Sequence, residues 1–478
     1  MTHPMAGVSH RVSHRVSARL TDCGFSVLYQ GRTYSVGYPD DVWKQTPETV
    51  RLFLLDNLVY AMTMHLPMVV PGLTGLIYDT RRPMLEPWFF QNFIRDIPSC
   101  TDMLGQSADK ETARFLSHEY SFAGGEMRST QSAVPPGKTA TAGAIVPMSF
   151  GKDSLLSFAV AEELGLRPVM VYVVEPGFAN EERHKLSVAR EFQEEFGHEL
   201  FTVEHDTGAL RDTEYGWGLQ STEYALLMLP FAWATGASLI LFGNEQSAGS
   251  SYLDENGRTR IYPCYDQTHD WTLHIDQMTS LITNGYVRTG SLIEPLMDML
   301  VQRFLAHRYP HYAAYQMSCF VEYQHDPEQN GELRWCHDCT ICAKMYLLCV
   351  ASGIEPAAIG LRNSMLTEDK RELYPLLGGN SAFPYARTAL ARDEQLFAFF
   401  CAAQRGSRED LVLGFAASPL YKEAEHREPE LRTRFCTLYP PTSTPLVLRA
   451  ATSTIYREEL DRFIRPNEEH TYENCARS

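Results

Sequence analysis

The chain has 478 residues, 44% hydrophobic and 21% charged, a globular composition too long for one ordinary domain, so two or three are expected. A formal net charge of −17 and a pI near 5.4 disfavour nucleic acid as the main partner, because surfaces that bind it are usually basic; a small anionic substrate in a locally basic site stays compatible. The eleven cysteines include one tight cluster, and no apolar segment follows the basic residues of the N-terminus, which fits a reducing, cytoplasmic setting in which clustered cysteines serve metal or catalysis.

Residues 1–18 hold a polar duplication, Ser9-His10-Arg11-Val12 then Ser13-His14-Arg15-Val16, and are expected to be a disordered tail. Phe25–Tyr29 and Thr33–Tyr38 alternate like a β-hairpin around Gln30-Gly31, and Glu48 to His65 has helical spacing. The Gly/Ser/Thr/Pro-rich text from Ser129 to Gly143 reads as a linker.

Strands and helices then alternate. Strand Ile145–Met148 leads to helix Leu155–Leu164, stopped by Gly165, and to strand Pro168–Val174. Helix Glu182–Phe196 ends at Gly197 and precedes strand Glu199–Val203; helix Ser221–Thr235 precedes strand Ala237–Phe242. The uncharged stretch Tyr224–Gly243 is long enough for a membrane span, but Pro230, Thr235, Gly236 and Ser238 interrupt it, so helix, stop and strand is the reading taken and no membrane partner is expected. The alternation predicts a parallel sheet covered on both faces, with its ligand at the carboxyl ends of the strands. Two loops should meet there. One is Ser149-Phe150-Gly151-Lys152-Asp153-Ser154, whose backbone N–H groups at a helix N-terminus suit an anion, usually a phosphate. The other is Gly243-Asn244-Glu245-Gln246-Ser247-Ala248-Gly249. Asn244 and Glu245 could contact a metal, a phosphate-bound water or the acyl substrate, or could simply cap a turn. Tyr172 and Val173 could meet adenine, or be plain buried strand.

The first loop is not a Walker A loop: Val146 stands where its first Gly belongs, and Asp153 where Ser/Thr should follow Lys152. Further on, His269 and Asp270 are adjacent, and adjacent positions do not face one another on a helix. Ser291–His307 reads as an amphipathic helix. Cys336, Cys339 and Cys342 form Cys-x2-Cys-x2-Cys ahead of an apolar helix Lys344–Ala351, with Cys319 upstream. Four thiolates so spaced suit tetrahedral zinc; an iron–sulfur site or free buried thiols are the alternatives. Cys349, on the following helix, fits core packing. From Gly353 onward the text is helical and mixed, with Thr388–Ala403 a core helix, Pro440–Pro445 a loop, and no separate chemistry.

The pattern Ser149-x-Gly151-x-Asp153-Ser154 resembles the PP-loop of the N-type ATP pyrophosphatases, usually Ser-Gly-Gly-x-Asp-Ser. Phe150 replaces the first of those glycines, which leaves its backbone less free to take a positive φ. The resemblance implies cleavage of ATP between its α- and β-phosphates. Ser149, Gly151 and Ser154 would cradle pyrophosphate, Lys152 would offset its charge and Asp153 would help hold Mg2+. The Cys motif after such a core also resembles 7-cyano-7-deazaguanine synthase, a protein about half this length. A resemblance covering more of the chain is to the MurL-type UDP-N-acetylmuramoyl-L-alanyl-L-glutamate epimerases. It rests on Tyr34-Ser35-Val36-Gly37-Tyr38-Pro39-Asp40, Leu66-Pro67, the Ser149–Ser154 loop, Gly243–Ala248 and Trp335-Cys336 through Cys342-Ala343-Lys344.

That resemblance implies an isomerase, with ATP and Mg2+, acting on the terminal L-Glu of a nucleotide-sugar peptide in peptidoglycan synthesis. The chemistry is coherent. An α-proton beside a carboxylate is very weakly acidic; adenylation makes the carboxyl a neutral, electron-withdrawing anhydride, a base removes the proton, an acid returns it on the other face, and water releases AMP. Glu245, Cys264, His269, Asp270 and Lys344 are the proton-transfer candidates, with Asn244 beside them. An amide-, nitrile- or thiolation-forming enzyme and a non-catalytic zinc- and nucleotide-binding module are the alternatives. The expected fold is α/β: a tail over 1–18, an N-terminal α+β domain over 19–140, a parallel-sheet PP-loop core (adenine nucleotide alpha hydrolase-like) over 141–317, a four-cysteine zinc knuckle over 318–360 and a mostly helical region over 361–478.

Overall fold

The computed structural model describes residues 12–128, 143–175, 179–212, 214–319, 334–379 and 384–464. The expected linker over 129–142 and the first eleven residues of the expected tail lie outside them. The chain is α/β, built on a mostly parallel ten-stranded sheet in the order β12-β9-β6-β7-β8-β3-β2-β1-β4-β5. The strands are β1 Val12–Thr21, β2 Gly24–Tyr29, β3 Arg32–Gly37, β4 Leu73–Tyr78, β5 Glu119–Phe122, β6 Ala144–Pro147, β7 Pro168–Val174, β8 Leu200–His205, β9 Leu239–Phe242 and β12 Arg288–Ser291; β10 Tyr252–Leu253 and β11 Arg260–Ile261 form a separate pair.

The strands from β8 through β12 are all parallel, with helices crossing between them. β6 has β7 on one side and β9 on the other, so strand order reverses between β6 and β9, where a ligand crevice is expected. Alternation along the strands sends side chains into two cores. Ala144, Val146, Met170 and Leu241 face one, with Leu347, Phe397 and Phe399 of the later helices. Ile145, Val171, Val173, Val203 and Ile240 face the other, with Leu227, Phe231 and the N-terminal helices. Burial on both faces is why these strands are continuous apolar runs.

Two expectations change. First, residues 12–18 are strand, not tail. β1 is hydrogen-bonded to β2 and β4, and its Val16 is fully buried while its other side chains are mostly polar and outward; one inward apolar residue per several polar ones imitates a tail. Second, the N-terminal region is not a sheet of its own. The hairpin turns on Gln30 and Gly31, both at positive φ, and its second strand then joins the core through Val36–His205 and Gly37–Glu204, antiparallel. The expected helix over 221–235 is present as Gln220–Thr235, running through Pro230 and ending at Gly236 with φ +74°. Residues 48–69 are the one described stretch long and apolar enough to cross a membrane, and 89% of its most apolar window is buried within the protein.

Candidate functional site

The Ser149–Ser154 loop joins β6 to the helix Lys152–Glu163. Its internal hydrogen bonds are long: Ser149 N–H donates to Ser154 Oγ at 3.2 Å, and Gly151 N–H to Ser149 Oγ at 3.4 Å. Gly151 occupies the helix N-cap and brings no side chain to accept from the first-turn N–H groups. Weakly engaged donors at a helix N-terminus are what an anion needs. Phe150 stands at φ +57°, although a bulky residue resists that conformation. Two contacts hold it there: its carbonyl accepts from Met317 N–H at 2.7 Å, and its fully buried ring meets Phe192 edge-on at 5.8 Å. So the missing glycine of the motif does not cost the loop its positive-φ residue. Phe150→Gly trades relief of about 1–2 kcal/mol of backbone strain for roughly 3–5 kcal/mol of lost core packing. It is therefore expected to destabilise by about 2–3 kcal/mol in urea titration.

Gly243, after β9, faces this turn so closely that a Cβ there would stand 2.9 Å from Asp153. That approach brings the two loops together. Gln246 N–H donates to Leu296 O at 2.9 Å, tying the second loop to the segment that leads into the helix Asp298–Arg308. The two loops and the later helices thereby converge on one charged cluster. Lys152 Nζ, nearly buried, lies 2.5 Å from Asp153 Oδ1 and pairs with Asp298 Oδ1. Asp298 Oδ2 pairs with Lys344, and Lys344 Nζ lies 3.3 Å from Glu394 Oε2 and 4.6 Å from the Tyr385 ring centre. Asp298 is thus the hub, one oxygen to each ammonium, and its own N–H donates to Ser247 Oγ at 3.3 Å. Ser247 in turn donates through its N–H (2.5 Å) and its hydroxyl (2.6 Å) to Glu245 Oε2.

Burial by itself would lower the Lys152 ammonium and raise the Asp298 carboxyl. The opposite charges overrule it: Asp153, Asp298 and Glu245 hold Lys152 raised, and Lys152 with Lys344 holds Asp298 well below the usual carboxylate range. For Glu245 burial wins, helped by Asp298, and its carboxyl is pushed up to about 8.

The four cysteines form a second centre. Cys319, Cys336, Cys339 and Cys342 are all buried, with their sulfurs within 4.8 Å of one another. The Cys319–Cys339 and Cys336–Cys342 sulfur distances are 3.9 and 3.7 Å. A tetrahedral zinc with bonds of about 2.3 Å needs sulfur edges of roughly 3.8 Å. The cluster could therefore hold a structural metal ion such as zinc. Backbone N–H groups of Asp338 and Cys342 donate to Cys336 and Cys339 sulfurs at 3.4 Å, as the charge of bound thiolates favours. Cys339 caps the helix Thr340–Ser352, which carries Lys344 on its first turns.

Ser149, Gly151, Lys152, Asp153, Ser154, Glu245 and Lys344 are therefore brought to one cluster at the ends of β6 and β9. The other expected residues are placed differently. Asn244 is buried and structural in its contacts: its Nδ2 donates to Thr272 Oγ1 at 2.9 Å and its carbonyl accepts from Ser291. Tyr172 and Val173 point to opposite faces of the sheet, as strand neighbours must; the Val173 side chain belongs to the apolar core under the helix Gln220–Thr235. His269, first in the helix His269–Ile282, does meet Asp270 (Nε2–Oδ1 3.1 Å), and both side chains are well exposed. Cys264 is pushed up to about 12 by burial and by Asp266. The expected helix over 291–307 starts only at Asp298, because β12 and the buried Leu292, Ile293 and Leu296 precede it in extended and irregular backbone. Asp298, Tyr385 and Glu394 were not among the expected site residues. No protein-family model matches the chain, and a search of curated proteins returns no match.

Proposed function

We propose that the crevice adenylates a carboxylate at the expense of ATP, giving AMP and pyrophosphate, and that it serves epimerisation of the terminal L-Glu of UDP-MurNAc-L-Ala-L-Glu. The observation that carries the first half is the convergence of an uncapped strand–turn–helix loop, Lys152 and Asp153 with the Gly243–Ser247 loop at the reversal of strand order. Free first-turn N–H groups and two ammoniums suit a departing pyrophosphate. By the motif resemblance, the Asp153 carboxylate would help hold a hard divalent cation such as Mg2+, which would neutralise phosphate charge. The second half rests on the motif resemblance, and on a buried carboxyl beside the loop. Glu245, raised to about 8, is poised to take a proton at near-neutral pH.

The test is incubation with ATP, Mg2+ and UDP-MurNAc-L-Ala-L-Glu, followed by chiral analysis of the released glutamate and assay of AMP. D-Glu appearing with AMP, and lost in Asp153→Ala, supports the reading. AMP without inversion keeps adenylation and moves the function to ligation or thiolation. Absence of AMP overturns it.

If Glu245 is the base, solvent deuterium should enter the substrate α-carbon faster as pH rises, levelling near pH 8, and Glu245→Gln should abolish that rise. Stability runs the other way. The carboxyl keeps its proton in the fold to about pH 8, whereas in the unfolded chain it loses it near pH ~4.3. Its contribution is full below that lower pKa and is lost as pH climbs through the upper one, so Glu245→Gln should flatten the decline across this window.

A further inference from the structure

We propose that Glu394, on the C-terminal helix Ala389–Gln404, is a positioning residue of the crevice. It holds the Lys344 ammonium at the phosphate side, so that Lys344 can exchange Asp298 for a phosphate oxygen without leaving its place. This rests on the adenylation reading. The region that carries Glu394 showed no chemistry of its own in the sequence, yet its side chain is 2% exposed and faces Lys344 at 3.3 Å. Tyr385 completes the clamp: its hydroxyl donates to the same Glu394 oxygen at 3.5 Å, and its ring lies 4.6 Å from the ammonium. The segment bearing Tyr385 is anchored from outside, since Arg387 pairs with Asp102, which also accepts from the Tyr252 hydroxyl at 2.6 Å.

Packing alone does not account for a carboxylate here. Its helical neighbours Leu390, Ala391, Phe397 and Ala398 are apolar, so burying the charge is costly. Lys344 already has a full partner in Asp298, and one Glu394 oxygen, Oε1, has no hydrogen bond among the described residues. A second carboxylate on an ammonium that is already paired adds negative charge to the cluster. What it does supply is a fixed position once Asp298 is given up. Asp298 is shared with Lys152, the lysine of the loop, so the anion that displaces it arrives from the loop side.

The experiment uses the full chain with Glu394→Gln, Glu394→Asp, Lys344→Met and the Gln/Met double variant, read by calorimetric binding of inorganic pyrophosphate and by AMP formation. A positioning role predicts that Glu394→Gln weakens pyrophosphate about fivefold and lowers kcat/KM for AMP about tenfold, with the Asp variant within about twofold of wild type. It also predicts that the double variant is no worse than Lys344→Met, because Glu394 acts only through that lysine. Unchanged or tighter pyrophosphate binding in Glu394→Gln overturns the proposal, since removing a negative charge would otherwise favour an anion. So do additive losses in the double variant, which a general loss of fold would give. If wild type binds pyrophosphate but forms no AMP, the adenylation reading falls and the binding series still decides Glu394. If wild type binds no pyrophosphate, both fall.

Discussion

Asp298→Asn is expected to cut AMP formation severely and to cost the fold about 3–5 kcal/mol, the penalty for stranding buried charge. The substitution keeps the shape of the side chain and removes only its charge. Lys152 and Lys344, now joined through one carboxylate, would face each other with Asp153 and Glu394 as their remaining partners. Activity should fall on the order of 10²–10³-fold, the scale set by removing one electrostatic element of a preorganised site. Chemical denaturation and AMP assay on the same preparation separate the two effects. Adding Lys344→Met restores the charge balance, so the double variant should regain most of the lost stability while its activity stays low. If stability and activity return together, Asp298 is a fold residue and nothing more.

Much of the core was legible because its physics is local. Buried parallel strands must be continuous apolar runs, and glycines at positive φ must stop the helices between them; Pro168–Val174 and the stops at Gly165 and Gly197 follow directly. The two loops of the crevice were legible because each sits where a strand ends. What escaped has no local signal of that kind. β1 is mostly polar and outward, and β12 is four residues, Arg288–Ser291, with little apolar text. Asp298 looks like an ordinary acidic residue in the first turn of a helix. Glu394 did leave a trace. A charged residue with apolar neighbours at three and four positions on either side must point into the core, and Lys344, between Ile341 and Leu347-Leu348, has the same signature. Lys152, followed by Leu155 and Leu156, shows it too. Taken jointly, those three positions would have indicated a buried charged cluster, though not which charges meet. Val173 shows the converse: proximity in sequence to Tyr172 does not place both side chains on one face, because the pleat separates them.

The other large effect concerns the cysteine cluster, because the metal it could hold and the lysine it carries are on the same helix. Purified protein is expected to contain one zinc per chain, and Cys339→Ser to lose both the metal and AMP formation. Cys339 is a ligand candidate and also the N-cap of Thr340–Ser352; serine keeps the cap, so what frees the first turn, on which Cys342 and Lys344 lie, is the loss of the metal that would tie it to Cys319 and Cys336. Without that turn Lys344 no longer reaches Asp298 and Glu394, and the crevice loses one of its two ammoniums. The stability cost should be several kcal/mol, because the three thiols left at the site stay buried without the ion that would join them. The substituted position matters for interpretation. Cys349, on the same helix but fully buried away from the cluster, gives a packing control: Cys349→Ala should cost about 1 kcal/mol and retain metal and activity. Chelation at neutral pH, with metal content, circular dichroism and AMP formation followed together, distinguishes two designs. If metal and activity are lost in step and zinc restores both, the knuckle holds the site in place. If the metal leaves and AMP formation persists, Lys344 is held by Asp298 and Glu394 alone, and the cluster serves only the local fold.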